Sequence, residues 1–155
     1  MTANAPAQPT AHKLADFLCF SIYSANLAFG RAYRPILDEL GLTYTQYIAI
    51  IALWEQDNQT VTSLGEKLFL ESNTLTPILK KLEAMGYLRR ARDPGDERQV
   101  LVSLTDAGRA LRERGLEMNL VEACGLTPDE FTNVQQAIAT LRDSLINATQ
   151  GKGKA

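Results

Sequence analysis

The run KLADFLCFSIYSANLAFGRAYRPILDEL, residues 13–40, constrains the fold more than any other stretch of the chain. Leu14, Leu18, Ile22, Ala25 and Phe29 recur at helical spacing, and Phe17, Phe20, Tyr23 and Leu27 carry apolar surface beyond that stripe. A helix that is apolar on most sides must be buried on most sides. A chain of 155 residues has enough length for one domain with its own core, but little left to wrap such a helix, so the run asks for a partner chain. Pro35 predicts a bend or an early end.

Downstream, the pattern predicts a helix over 44–56 and a short one in TVTSLGEKLFL, with Thr60 as its N-cap. A further helix starts at Ser72, with Leu75, Ile78, Leu79, Leu82 and Met85 at core spacing and Gly86 as its stop. Residues 87–104 change to strand period, and DPGDER between YLRRAR and QVLVSL predicts a hairpin. Asp93-Pro94-Gly95-Asp96 suits a type II turn. Helical pattern resumes over 105–123 and 128–147, interrupted by GLTP. The order α-α-α-α-β-β-α-α describes a mainly α chain with a small β-hairpin.

Charge sharpens this. The whole chain carries −2, yet residues 67–92 hold six basic side chains against Glu71 and Glu83, leaving −6 elsewhere. A basic middle in an acidic chain points to a local polyanion-binding face, with an ordinary solvated surface as the alternative. A short helix, a turn, an amphipathic helix and a hairpin form the layout of a winged helix-turn-helix. The second helix then presents Ser72, Asn73, Thr74, Thr76, Pro77, Lys80 and Lys81 to phosphates and base edges of double-stranded DNA. The hairpin tip presents Arg92 and Arg98 to a narrow minor groove. The same layout also serves protein binding, since fold does not fix function.

Other classes are excluded. Two cysteines without C-x-x-C spacing and a single histidine do not make a zinc site or a disulfide scaffold, and no cofactor motif occurs. No apolar run is long enough to span a bilayer, and MTANAPAQPTA reads as neither signal nor transit peptide, so the expected address is cytoplasmic.

The segment DERQVLVSLTDAG, residues 96–108, resembles the D-x-R…L-T-x-x-G wing signature of the MarR superfamily of dimeric winged-helix repressors. Within it, LCFSIYSANLAFGRAYRPIL, YTQY, LWE and FLESNTLTP look like the organic-hydroperoxide-resistance repressors (OhrR-type), in a two-cysteine subgroup. The resemblance covers about residues 13–145. It implies a winged-helix domain over 13–148 in an intertwined homodimer, with dimerisation helices at about 13–40 and 105–147. The DNA-binding lobe is expected at about 44–104, with flexible tails at 1–12 and 149–155. It further implies that Arg98 enters the minor groove, that Asp96 braces it, and that the operator is pseudo-palindromic. Cys19 maps onto the peroxidatic cysteine, Cys124 onto the resolving one, and Tyr33 and Tyr44 onto tyrosines that hydrogen-bond the reduced sulfur.

The implied chemistry is coherent. A sensor needs a thiolate, and an N-cap at Asp16 would put Cys19 in the first helical turn, where the dipole favours an anion. A helix starting near His12 or Lys13 would remove that support. Apolar neighbours favour an organic hydroperoxide as inducer. Oxidation would give a Cys19 sulfenic acid, trapped by Cys124 as a disulfide. In the family that bond joins two chains; the sequence alone leaves the pairing open. By itself each cysteine is a small core residue. Two alternatives stand: a repressor relieved by a small aromatic ligand with inert cysteines, and a thiol peroxidase. The chain lacks the thioredoxin-like βαβ pattern of the latter, so no enzyme is expected.

Overall fold

The computed structural model describes residues 13–115 and 120–151, which fall into two compact units. The first holds helices α1 (Leu18–Leu40), α2 (Tyr44–Glu55), α3 (Val61–Leu68), α4 (Ser72–Ala84) and α5 (Asp106–Gly115). It also holds strands β1 (Gln59–Thr60), β2 (Leu88–Asp93) and β3 (Asp96–Leu104). The second holds α6 (Leu120–Ala123) and α7 (Pro128–Gln150). This is the winged helix-turn-helix architecture expected from the sequence. The tail expected at 1–12 lies outside the described residues. The tail expected from 149 is still helical through Gln150, and residues 152–155 lie outside.

Residues 13–17 do not join the first helix. Leu14–Asp16 form a single 3-10 turn, and Phe17, in extended conformation, is the N-cap of α1 without any side-chain cap bond. Asp16 is therefore not the cap, but Cys19 does sit in the first turn. Pro35 does not end the helix. It is exposed and forfeits one backbone bond, while Leu37 and Leu40 on the opposite side are buried. The helix instead ends at Gly41, whose left-handed backbone (φ 69) turns Leu42 N–H back to the Leu37 carbonyl at 3.0 Å.

Local capping explains the next two starts. Thr43 and Gln46 exchange bonds in a capping box: Gln46 N–H donates to Thr43 Oγ1, and Thr43 N–H donates to Gln46 Oε1. Thr60 caps α3 as the sequence predicts, accepting from Ser63 N–H at 3.0 Å. Between α3 and α4 the chain turns tightly, with Phe69 in the left-handed region (φ 57). Gly65 permits this turn: a Cβ there would lie 2.6 Å from the Leu70 carbonyl oxygen.

Ile50, Leu53, Leu64, Leu75, Leu79 and Val102 are fully buried, so the core lies among α2, α3, α4 and the sheet. Met85, expected on that stripe, is 40% exposed because it follows the last turn of α4. The sheet is antiparallel in the order β1-β3-β2. The two-residue β1 was not expected, being too short to carry a periodic signal. The hairpin turn is not type II, since Gly95 is absent from the positive-φ positions; instead Asp93 Oδ1 accepts the Gly95 N–H at 2.8 Å.

The apolar surface of α1 is exposed: Leu18 and Tyr23 are about 60% exposed, and Phe17, Leu27 and Phe29 are exposed too. Val134, Ile138 and Leu145 of α7 are also exposed, and α7 buries no residue.

Candidate nucleic-acid interface and thiol site

Helix α4 buries Leu75, Leu79 and Leu82, so its opposite face carries Asn73, Pro77, Lys80 and Lys81 into solvent. Ser72 and Thr74 are exposed at its N-terminus, and half-buried Thr76 donates to the Ser72 carbonyl at 2.7 Å. Glu71 is the N-cap but makes no side-chain cap bond, leaving the first amides of α4 open at the positive end of the helix dipole. Pro77 brings no N–H, so the Asn73 carbonyl on the exposed face has no i+4 donor. All seven residues expected on this helix are thus brought together along one end and one face.

The wing residues also gather. Arg90 faces Val102 and Arg92 faces Val100 across the hairpin. Alternation then places Arg90, Arg92 and Arg98 on the sheet face that carries Leu88, Val102 and Leu104 into the core. Arg98 projects almost entirely into solvent (91% exposed) and is oriented by a forked pair with Asp96, Nε to Oδ1 at 3.0 Å and Nη2 to Oδ2 at 3.2 Å. Arg98 also donates its backbone N–H to Oδ1. These bonds, side chain first, hold the Asp96 carboxyl below the usual carboxylate range. Arg92 donates through Nη1 to the Glu97 carbonyl at 2.7 Å, bracing the tip without losing its charge.

Not every cation of the basic segment is available. Lys67 pairs with Glu55 and Arg90 with Glu83. Lys80, Lys81 and Arg89 are exposed and enter no ion pair among the described residues. Arg89 was not singled out from the sequence, and its outward place on β2 is the signal that could have found it.

The L-T-x-x-G segment is architectural. Leu104 is buried; Thr105 donates through Oγ1 to the Gly86 carbonyl and accepts the Gly108 N–H at 3.1 Å. Trp54 Nε1–H donates to the Gly108 carbonyl at 3.0 Å. Asp57 ties the same junction, accepting from Leu104 N–H and from Arg109. These bonds join α2, the wing base and α5.

Cys19 is the second residue of α1 and is exposed; Cys124 follows α6 and is half-buried. Tyr33 and Tyr44 do meet, with ring centroids 5.4 Å apart, and Tyr47 lies 6.0 Å from Tyr33. Burial, then the neighbouring Tyr44, raises the Tyr47 phenol above its ordinary value. The tyrosines do not meet Cys19 of the same chain. Cys19 and Tyr33 lie on one continuous helix, fourteen residues and so about 21 Å apart along its axis. A separate open cleft of about 530 Å³ lies between the α1–α2 corner and α4, lined in part by Leu37, Asp38, Gln46, Lys81 and Met85.

Known proteins resemble this chain in sequence and in fold. The family of the transcriptional regulators SarA/Rot matches residues 31–114. The HTH-type transcriptional regulator TtmR of Methylorubrum extorquens is 48% identical over 130 residues, covering 83% of this chain and 67% of the relative. The organic hydroperoxide resistance transcriptional regulator of Bacillus subtilis is 38% identical over 135 residues, covering 86% and 92%. Among solved structures, reduced AbfR bound to DNA superposes with a TM-score of 0.76 at 37% identity, covering 88% and 94%. The disulfide-formed state of AbfR, a protein of Staphylococcus epidermidis, gives 0.61 at 36% identity, covering 88% and 92%.

Proposed function

The chain belongs to the MarR superfamily of winged-helix transcriptional regulators, beside SarA/Rot and the organic-hydroperoxide-resistance regulators, and from that premise we propose that it is a homodimeric repressor that releases its operator when an organic hydroperoxide oxidises Cys19. The family are regulators, which removes the thiol peroxidase alternative.

For DNA binding, α4 enters the major groove with Asn73 and Pro77 toward base edges and Lys80 and Lys81 toward phosphates, while Ser72, Thr74 and Thr76 add hydroxyls at its N-terminal end. Arg98, held by Asp96, and Arg92 enter the adjacent minor groove. The exposed apolar surfaces of α1 and α7 are the dimer contact, which makes the operator pseudo-palindromic with half-sites about 34–36 Å apart.

The observation that carries the redox reading is the placement of Cys19: accessible, in the first turn of a 23-residue helix, and flanked by exposed Phe17 and Leu18. The apolar flank suits an alkyl or aryl hydroperoxide. Because Tyr33 lies far from Cys19 along α1 and Tyr44, the first residue of α2, packs against Tyr33, the phenols that support the sulfur come from the partner copy, with the two α1 helices crossing antiparallel. The thiolate attacks the distal peroxide oxygen, the O–O bond breaks, and the alkoxide leaves as the alcohol by taking a proton from solvent. Cys124 of the partner then attacks the sulfenic sulfur, forming S–S and releasing water. Closing that bond moves α1 and changes the half-site spacing. The Bacillus relative's name and the existence of reduced and disulfide forms of AbfR support this reading.

Treating the reduced protein with excess cumene hydroperoxide tests it. A sensor consumes about one equivalent per Cys19, shifts to dimer size on a non-reducing gel and loses DNA; no shift and no loss of DNA contradict it. The cleft beside Lys81 favours one other reading, relief by a small anionic aromatic compound that masks that lysine. Release of DNA by salicylate without oxidant would support it.

A further inference from the structure

We propose that Glu83 is a positioning residue for DNA binding: its carboxylate pins the last turn of the recognition helix to strand β2 and so sets the spacing between the polar face of α4 and the arginines of the wing. The proposal rests on the DNA-binding reading above and deepens it.

Three bonds converge on this side chain. Arg90 N–H donates to Oε2 at 2.7 Å, and Arg90 Nε and Nη2 donate to Oε1 at 3.3 and 3.1 Å. The sheet order β1-β3-β2 makes β2 an edge strand, so an amide pointing away from β3 has no ladder partner. Glu83 takes that amide for Arg90. It also neutralises an arginine that strand alternation turns toward the core face, and whose side chain is only 22% exposed against 91% for Arg98. The Arg90 backbone N–H first, and its guanidinium second, hold the Glu83 carboxyl below the usual carboxylate range, so the clamp is charged at neutral pH.

The consequence follows from the rigidity of the duplex. A helix in the major groove and an arginine in the next minor groove bind together only if their separation matches the DNA. Arg90 and Arg92 are alternate residues of one strand, and Arg98 lies on the same sheet face. Fixing Arg90 to α4 therefore fixes the approach of the wing tip. A protein lacking the clamp would hold each contact in turn at less cost to non-specific binding than to specific binding. It would also carry one less negative charge beside the DNA, which by itself strengthens all binding.

The test compares Glu83→Ala and Glu83→Gln with wild type on two duplexes: one enriched by the reduced wild-type protein from a randomised pool, and a scramble of it. Glu83→Gln keeps the size and an acceptor, so it carries the test should the alanine variant not melt cooperatively. The specificity ratio is expected to fall about tenfold in Glu83→Ala and less in Glu83→Gln, the scale of one charge-assisted hydrogen bond. Affinity for the scramble should hold or rise. Equal changes on both duplexes overturn the clamp while leaving the DNA-binding reading intact. Failure of the wild type to enrich any duplex overturns the reading and the clamp together.

Discussion

Gly108 lies so close to the Tyr87 carbonyl that a Cβ built on it would stand 2.1 Å from that oxygen and 3.0 Å from Leu104 Cδ2. The same glycine accepts the indole N–H of Trp54 and donates to Thr105 Oγ1. The closing glycine of the wing signature is therefore a packing requirement where α5 leaves the wing, and not a DNA contact. Gly108→Ala gains helix propensity of up to about 1 kcal/mol but must displace backbone. A net loss of about 2 kcal/mol is expected, read as a lower midpoint in thermal unfolding. An unchanged midpoint would mean that the α5 start moves freely from the wing.

Arg98 contributes little to folding, because it is exposed and its one ion pair is at the surface. Arg98→Ala should leave the unfolding free energy within about 0.5 kcal/mol of wild type, read as a nearly unchanged thermal midpoint. Its DNA affinity should fall, with the dependence on salt reduced by about one counterion per wing. Identical salt slopes for the two proteins would remove Arg98 from the interface.

The buried Tyr47 phenol has a pH signature. Its folded value is raised above 10.0, so the folded state holds its proton longer than the unfolded state does. That contribution to stability is complete below pH 10.0 and is lost as pH rises through the higher folded value. Unfolding in urea across this range should show a steeper alkaline decline for wild type than for Tyr47→Phe. Equal slopes would show that the phenol titrates alike in both states.

Much of this arrangement is legible in the sequence because it is local. Thr60 as a cap, Gly86 as a stop, the buried stripe of Leu75, Leu79 and Leu82, and the two-residue alternation of the wing all act within a few residues. The hairpin turn is a local failure: Asp93 binds the Gly95 amide itself and removes the need for a positive φ. Pro35 misleads for another reason, since burial of Leu37 and Leu40 outweighs one lost backbone bond. The Glu83–Arg90 clamp and the Asp57–Arg109 pair depend on the chain folding back, which no periodicity records. The signal for the first was an arginine on the core-facing side of an edge strand. The thiol site is the least local part. The two cysteines belong to different compact units, and Tyr33 is fourteen residues along α1 from Cys19, so the proposed pairing of the tyrosines with the sulfur requires a second copy.

Cys19 is the centre of the proposed mechanism, and its oxidation can be isolated from every other effect of a peroxide. The decisive measurement is the affinity of reduced wild type and of Cys19→Ser for the enriched duplex, before and after one equivalent of cumene hydroperoxide. Wild type should lose at least about tenfold in affinity, a usual size for coupling between two sites, and regain it with dithiothreitol. Cys19→Ser should bind equally well before and after. Release of DNA by the serine variant to the same extent as wild type would contradict the account.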